Sequence, residues 1–271
     1  MAQIDLLEAD NVDKVLSRVS VLSKPRACDI LSQIRIVFEA VPEIMQAKSD
    51  TYAWLNQVVT RTTLIASTTS TMGVNELAKL VNHPDRFLNA HWLNPAHLMP
   101  LVEVARGEAT SNASVERLCA TLKAITKIPV VCSASPGYIV PRIQALAMNE
   151  AARLAEEGVA SVEDIDTALK VGFGLRFAVL GMLEFIDWGG NDILYHASNY
   201  LAENIDHARF APPQSVLNNM SSGHNGLRDG VGFHDYRDRD VSHYRQQRLT
   251  DLMGMLKMMG LAPRPNSLIN P

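Results

Sequence analysis

His91 closes one run of mixed apolar residues, RFLNAHWLNP (86–95), and Glu103 sits inside the next, PLVEVARG (100–107). Val102 and Val104 flank Glu103, so in a strand its carboxylate faces away from both valines. Two neighbouring strands joined by a short Pro-containing loop can bring this imidazole and this carboxylate together. A carboxylate beside an imidazole fixes its tautomer and raises its basicity, which suits a general base that takes a proton from a hydroxyl. The same spacing also fits a hydrogen-bonded His/Glu pair with no catalytic role.

Hydroxyls form the second candidate group. Ser67, Thr68, Thr69, Ser70 and Thr71 follow the apolar run TLIAST (63–68). Ligands of open α/β sheets bind at the carboxyl ends of strands, where this cluster would lie. The alternative is a set of caps for the next helix. Glu43 and Lys48 flank the end of another strand-like run and fit either a ligand contact or a solvated face. His224, His234 and His243 lie in or beside a loop-rich stretch without a carboxylate or cysteine pattern, so no metal site is expected.

The elements that must position these groups change texture along the chain. Up to about residue 134, short β-like runs alternate with helical ones: IDLLEA (4–9), RVSVL (18–22), IRIVFEAVPE (34–43), TLIAST, the His91 and Glu103 runs, and IPVVCS (128–133). Helical patterns cover 47–59, 75–81 and 114–125. This alternation predicts a parallel, doubly wound sheet. After Ser135-Pro136-Gly137 the pattern is helical, with helices expected at 138–157, from Ser161 (a capping-box signature with Asp164), at 183–202 and at 245–259. Residues 208–240 read as loop. The expected organisation is an α/β domain over 1–134 and an all-helical domain over 135–271.

Composition narrows the function classes. The chain has 271 residues, 47% hydrophobic and 20% charged, with net charge −4. It has no basic block, so nucleic acid is not an expected partner. No apolar run is long enough to span a membrane. Cys28, Cys119 and Cys132 form neither a metal pair nor a disulfide framework, and a reducing, cytoplasmic setting is expected. Of 15 glycines the first is Gly73, so no glycine-built phosphate loop precedes it.

The motifs IVFEAVPE, LIASTTST, AHWLNPAHLMPLVEV, SPGYIVPRI, EEGVASVEDID and GLRDGVGFHDY together resemble the L-3-hydroxyacyl-CoA dehydrogenase family, over residues 34–236 and in family order. The resemblance implies an incomplete Rossmann-like sheet followed by an all-α domain. It implies NAD as cofactor, a homodimer, and oxidation of a 3-hydroxyl to a ketone. His91 then corresponds to the catalytic base and Glu103 to its partner carboxylate. Ser70 matches the hydroxyl that contacts the substrate oxygen and the nicotinamide region, Asn94 the asparagine of the family's HxxNP motif, and Glu43 and Lys48 its cofactor-contacting pair. Arg228 stands where the family often has a basic residue near the end of the substrate domain. IDLLEAD looks like the family's second strand, which makes Glu8 the acid on the adenine ribose and favours NAD over NADP.

Three departures qualify that resemblance. The family's opening βα unit with GxGxxG has no counterpart, which would remove a central strand and the helix N-terminus that holds a pyrophosphate. Pro141 replaces an asparagine in GYIVPRI. Arg176, in GFGLRFAVLGMLEF, brings the pattern closer to relatives acting on small hydroxy acids, such as L-gulonate and carnitine dehydrogenases, because a guanidinium can pair a substrate carboxylate bidentately. Substrates are therefore an acyl-CoA or a free 3-hydroxy acid. A non-catalytic relative, as λ-crystallin is within this family, is the alternative. A 3-hydroxyisobutyrate dehydrogenase-like enzyme is disfavoured because helix 138–157 lacks the lysine such enzymes use.

Overall fold

The computed structural model describes residues 8–263. The chain divides into two compact units, Met1–Asn149 and Glu150–Pro271.

The first unit is built on a five-stranded sheet in the order β1-β2-β3-β4-β5, with strands β1 (Ile36–Glu39), β2 (Leu64–Ser67), β3 (Phe87–Trp92), β4 (Leu101–Arg106) and β5 (Ile128–Ser133). Strand β2, LIAS, is buried at all four positions. Such an unbroken apolar run is what a parallel strand covered on both faces requires. Pairs β1·β2, β2·β3 and β4·β5 are parallel, whereas β3 and β4 run antiparallel. The expected parallel sheet is present with one antiparallel pair, where the chain returns through the short loop after Trp92 instead of through a crossover helix.

Helices α1 (Val12–Leu16) and α2 (Lys24–Leu31) precede the sheet, and α3 (Met45–Val58) and α4 (Val74–Ala78) connect β1 to β2 and β2 to β3. Tyr52 and Leu55 of α3, with Val74 and Leu77 of α4, pack on Phe87 and Ala105 on one face. Leu118 and Leu122 of α5 (Asn112–Ala124) pack on Leu88, Ala90, Val102 and Val104 on the other. Ser111 caps α5 by accepting from the Ser114 N–H at 3.2 Å. Because strand order equals chain order, the described sheet has no point where that order reverses. In a doubly wound sheet that point is where the ligand crevice opens.

Two expected strands are corrected. RVSVL (18–22) begins in the turn that closes α1 and lies outside the sheet, with Val19 64% and Val21 94% exposed; its alternation has nothing to bury against. In IDLLEA (4–9), residues 4–7 lie outside the described residues, and Ala9–Asn11 form a 3-10 turn.

Helix α6 (Val140–Glu156) carries Pro141 in its first turn, where the missing N–H costs no helical bond. The second unit is helical: α7 (Val162–Ala168), a π-helical stretch Leu169–Gly174, α8 (Leu175–Val179), α9 (Met182–Gly189), α10 (Asn191–Asn204), α11 (His207–Phe210), α12 (Gln214–Ser221) and α13 (Val241–Met258). Ser161 caps α7 as expected, accepting from the Asp164 N–H at 3.1 Å. The single helix expected over 183–202 is broken at Gly190, whose φ of 118° no helix accommodates. The expected loop 208–240 contains α12 and part of α11. Its motif GLRDGVGFHDY wraps around buried Asp187, which accepts from the Phe233 and His234 N–H groups at 2.8 Å each and from the Tyr236 hydroxyl at 3.1 Å. A Cβ on Gly232 would sit 2.0 Å from Asp187 Oδ1. That close approach explains the glycine.

Candidate active site

The antiparallel register places His91 directly opposite Glu103. His91 Nδ1 lies 2.9 Å from Glu103 Oε2. The other oxygen, Oε1, accepts from the Ile139 and Val140 N–H groups, at 2.9 and 2.8 Å, where α6 begins. Glu103 is 0% exposed and His91 5%. A carboxylate anchored by a helix start cannot swing, so it holds the imidazole in one orientation. Donation from Nδ1–H to Glu103 leaves the Nε2 lone pair as the acceptor, which is the form a general base needs.

Sequence reasoning missed Tyr138. Its ring stacks on His91 with centroids 4.8 Å apart and planes 6° apart. Its hydroxyl donates to the Thr69 carbonyl at 2.7 Å and accepts from Asn89 Nδ2 at 3.1 Å. Burial pushes the Tyr138 phenol up to about 12, so it stays a neutral donor. Through this side chain the imidazole is tied to the loop after β2, one residue from Ser70.

That loop is fixed from its other side by Glu43. Its Oε1 accepts from the Thr69 hydroxyl, from the Thr71 hydroxyl at 2.8 Å and from the Thr71 N–H at 3.1 Å. Burial works to raise the Glu43 pKa, but these hydrogen bonds and the Lys48 charge outweigh it and hold it down at about 2. Lys48 is buried between Glu43, 3.4 Å away, and Glu39, whose oxygens lie 3.0 and 3.1 Å from Nζ. Glu39 also accepts from the Tyr52 hydroxyl at 2.5 Å, Ser67 at 2.7 Å and the Val41 N–H at 2.8 Å. Against a burial effect that raises its pKa, these donors keep Glu39 below the usual carboxylate range. Glu39 and Tyr52 were invisible as site residues, because one ends a strand and the other sits mid-helix. Lys48 contacts neither solvent nor a solvated face; it clamps two carboxylates.

Ser70 and Asn94 are exposed and make no side-chain hydrogen bond among the described residues. Asn94 follows β3 and precedes Pro95 through a cis peptide. Glu8 is exposed and accepts from Asn11 Nδ2 at 3.0 Å, in a turn rather than the strand expected around it. The structure thus brings His91, Glu103, Ser70, Glu43 and Lys48 to one side of a sheet, around the carboxyl ends of β1–β3.

In the second unit, Arg176 is exposed. Its Nε donates to the Gly172 carbonyl at 2.7 Å and its guanidinium lies 5.1 Å from the Phe185 ring centroid. It lines a small cavity with Phe185, Trp188 and Arg248. Arg228 is half exposed and engaged by Asp192 at 2.7 Å. Among the described residues no cluster of His, Cys, Asp and Glu could hold a metal ion, and no helix is long and apolar enough to cross a membrane.

The fit to a nicotinamide nucleotide is uneven. A free hydroxyl (Ser70), a free amide (Asn94) and a fixed carboxylate (Glu43) at strand carboxyl ends suit its nicotinamide and ribose groups. A glycine turn for its pyrophosphate is not present ahead of Gly73.

Comparison with known proteins bears on this geometry. Residues 1–135 match the family described as 3-hydroxyacyl-CoA dehydrogenase, NAD binding domain, and residues 137–236 match 3-hydroxyacyl-CoA dehydrogenase, C-terminal domain. The chain is 33% identical to the mitochondrial hydroxyacyl-coenzyme A dehydrogenase of Sus scrofa, over 83% of this chain and 71% of that protein. It is 29% identical to 5-formyl-3-hydroxy-2-methylpyridine 4-carboxylate 5-dehydrogenase of Mesorhizobium japonicum, over 85% of this chain and 75% of that one. A crystal structure of a 3-hydroxyacyl-CoA dehydrogenase from Archaeoglobus fulgidus superposes with TM-score 0.78 at 30% identity, covering 92% of this chain and 84% of that one.

Proposed function

The chain belongs to the NAD-dependent 3-hydroxyacyl-CoA dehydrogenase family, and from that premise we propose that it oxidises an L-3-hydroxyacyl-CoA or a small free 3-hydroxy acid to the 3-oxo compound. The observation that carries the proposal is the His91–Glu103 pair, 2.9 Å apart, buried and aligned by strand register. In this reading His91 Nε2 takes the hydroxyl proton of the substrate. Glu103 holds the resulting imidazolium in place and balances its charge. Ser70 donates a hydrogen bond to the substrate oxygen and keeps it beside His91. Tyr138 fixes the plane of the imidazole. Glu43 and Asn94 contact the cofactor, Lys48 acts through Glu43, and Glu8 takes the adenine ribose. NAD, when bound, supplies the hydride acceptor.

The choice between a CoA thioester and a free acid turns on Arg176. Its exposed guanidinium beside aromatic walls suits a carboxylate, and the Mesorhizobium relative is named for a carboxylate substrate. Arg228 serves in the same role less directly, because Asp192 already occupies it. We further read the protein as a cytoplasmic homodimer. Its cysteines are free, and α13 exposes Leu249, Met253 and Met258, apolar surface that a second copy would cover.

A second reading, a family relative kept for a structural role, draws on Pro141, which offers no side-chain hydrogen bond at the start of α6, and on the late first glycine. One experiment separates the two. The purified chain is titrated with NADH by fluorescence and then assayed for NADH oxidation with acetoacetyl-CoA and with small 3-oxo acids. Micromolar binding and turnover are expected of the enzyme. Absence of both leaves only the structural reading.

A further inference from the structure

Lys127 has no part in the site described above, yet its contacts converge on one stretch of it. The residue lies between α5 and β5. Its Nζ donates to the main-chain carbonyls of Ala96 at 2.6 Å and Met99 at 2.7 Å. The same ammonium lies 5.7 Å from the Trp92 ring centroid. These contacts fall on the connection between β3, which carries His91, and β4, which carries Glu103, or on the strand end that opens it. Asn94 sits in that connection, two residues before Ala96.

The connection has little else to hold it. Its internal bonds run from the Leu98 and Met99 N–H groups to the Pro95 carbonyl, at 2.9 and 3.0 Å. Where β4 and β5 begin to pair, the Pro100 carbonyl accepts from the Ile128 N–H at 2.8 Å. Between Asn94 and Met99, among the described residues, the two bonds from Lys127 are what ties the loop to the rest of the unit. Residues 94–100 are exposed throughout, so burial does not fix their shape. A cationic donor on a carbonyl is stronger than a neutral one, which suits a single side chain to this task.

The backbone ahead of Lys127 aims it at the loop. Helix α5 ends in a paired turn, with the Thr126 N–H on the Lys123 carbonyl at 3.0 Å and the Lys127 N–H on the Leu122 carbonyl at 3.0 Å. A helix end of this kind needs a left-handed residue at the Thr126 position, where glycine is usual. Thr126 takes it with φ 61°, a strained choice for a β-branched side chain. The reversal sends Lys127 off the helix axis and its ammonium onto Ala96 and Met99.

We propose that Lys127 is a positioning residue: through the Ala96 and Met99 carbonyls it holds the 93–100 loop in the shape that presents the Asn94 amide to the cofactor. The inference rests on the reading of Asn94 as a cofactor contact. Asn94 makes no side-chain hydrogen bond among the described residues, so the loop backbone alone sets the direction of its amide.

Lys127→Met removes the ammonium and keeps the stem. Its Kd for NADH, read by fluorescence, should rise about tenfold and its KM for NAD with it, whereas kcat at saturating NAD should fall by less than about threefold. Hydrogen exchange at the Leu98 and Met99 amides should quicken by at least about tenfold, with the Ala90 and Val104 amides of the sheet unchanged; a general loss of structure would quicken all four. Asn94→Ala should weaken NADH binding by a similar factor, and the double variant Lys127→Met/Asn94→Ala no further, because both changes act through one amide. The proposal is overturned if Lys127→Met binds NADH as the unaltered chain does, if exchange in the loop is unchanged, or if the two substitutions add in full. Failure of the unaltered chain to bind NADH overturns the reading of the site and this inference with it, and is told apart because it shows before any substitution is made.

Discussion

The Tyr138 ring lies flat on the His91 imidazole, 4.8 Å between centroids and 6° between planes. The phenol is anchored at its far end by Thr69 and Asn89. The imidazole is thus held by two independent supports: Glu103 in the plane of the ring and Tyr138 on its face. The two can be separated by substitution. Tyr138→Phe keeps the stack and loses both hydroxyl bonds. It should lower stability by about 1–2 kcal/mol and kcat by less than about tenfold. Tyr138→Ala loses the stack as well as the hydroxyl bonds, with Glu103 left as the one support, and should lower kcat further at unchanged KM for substrate. Urea unfolding and steady-state kinetics on the two variants measure this.

The Glu39–Lys48–Glu43 cluster is a buried charge network, and such networks suffer most when one member is removed. Lys48→Met leaves Glu39 without its cation and should cost about 3–5 kcal/mol. The double variant Lys48→Met/Glu39→Gln should recover a large part of that loss. A double-mutant cycle by urea denaturation gives the coupling. An additive result would show that the two side chains act independently.

Acid should loosen the same region in a defined window. Glu43 is held at about 2 in the folded chain against an ordinary value of 4.5. A lowered folded pKa contributes stability that is complete above the unfolded value and is lost as pH falls toward the folded one. Stability should therefore decline from about pH 4.5 down to about pH 2. Glu43→Gln should show a shallower decline over that interval in urea midpoints taken at successive pH values.

The glycine-rich motif at 226–232 makes a stability prediction in the second unit. Gly232→Ala would drive a Cβ to 2.0 Å from Asp187 Oδ1 and should cost more than about 2 kcal/mol. Gly73→Ala, whose Cβ meets nothing within 4 Å, should change stability by less than about 1 kcal/mol. Thermal or urea unfolding of the two variants tests the contrast.

The sequence was most legible where a residue's role follows from its own strand. His91 and Glu103 are readable as a pair because neighbouring strands and a short loop bring them into register. Strands β1–β5 and helices α3, α5 and α6 follow from apolar periodicity. What stayed hidden depends on distant partners. Tyr138 reaches His91 across the whole of β4, α5 and β5, and nothing in SPGYIVPRI marks a stacking ring. Glu39 and Lys48 look like solvated charges until the fold closes α3 over the ends of β1 and β2. RVSVL shows the converse: a strand-like pattern with no sheet beside it. The helix break at Gly190 depended on one backbone angle that a glycine permits but does not announce.

The central claim is that His91 is the base and Glu103 its orienting partner. It is tested most directly by the turnover number of His91→Gln with the best 3-hydroxy substrate and NAD, measured beside the unaltered chain and with the fold checked by circular dichroism. The account predicts a loss of at least about a hundredfold in kcat, in line with removal of a general base, with native helix content and retained NADH binding. A correctly folded His91→Gln variant that turns over at the unaltered rate would contradict it, and the His91–Glu103 pair would then be a buried hydrogen bond and nothing more.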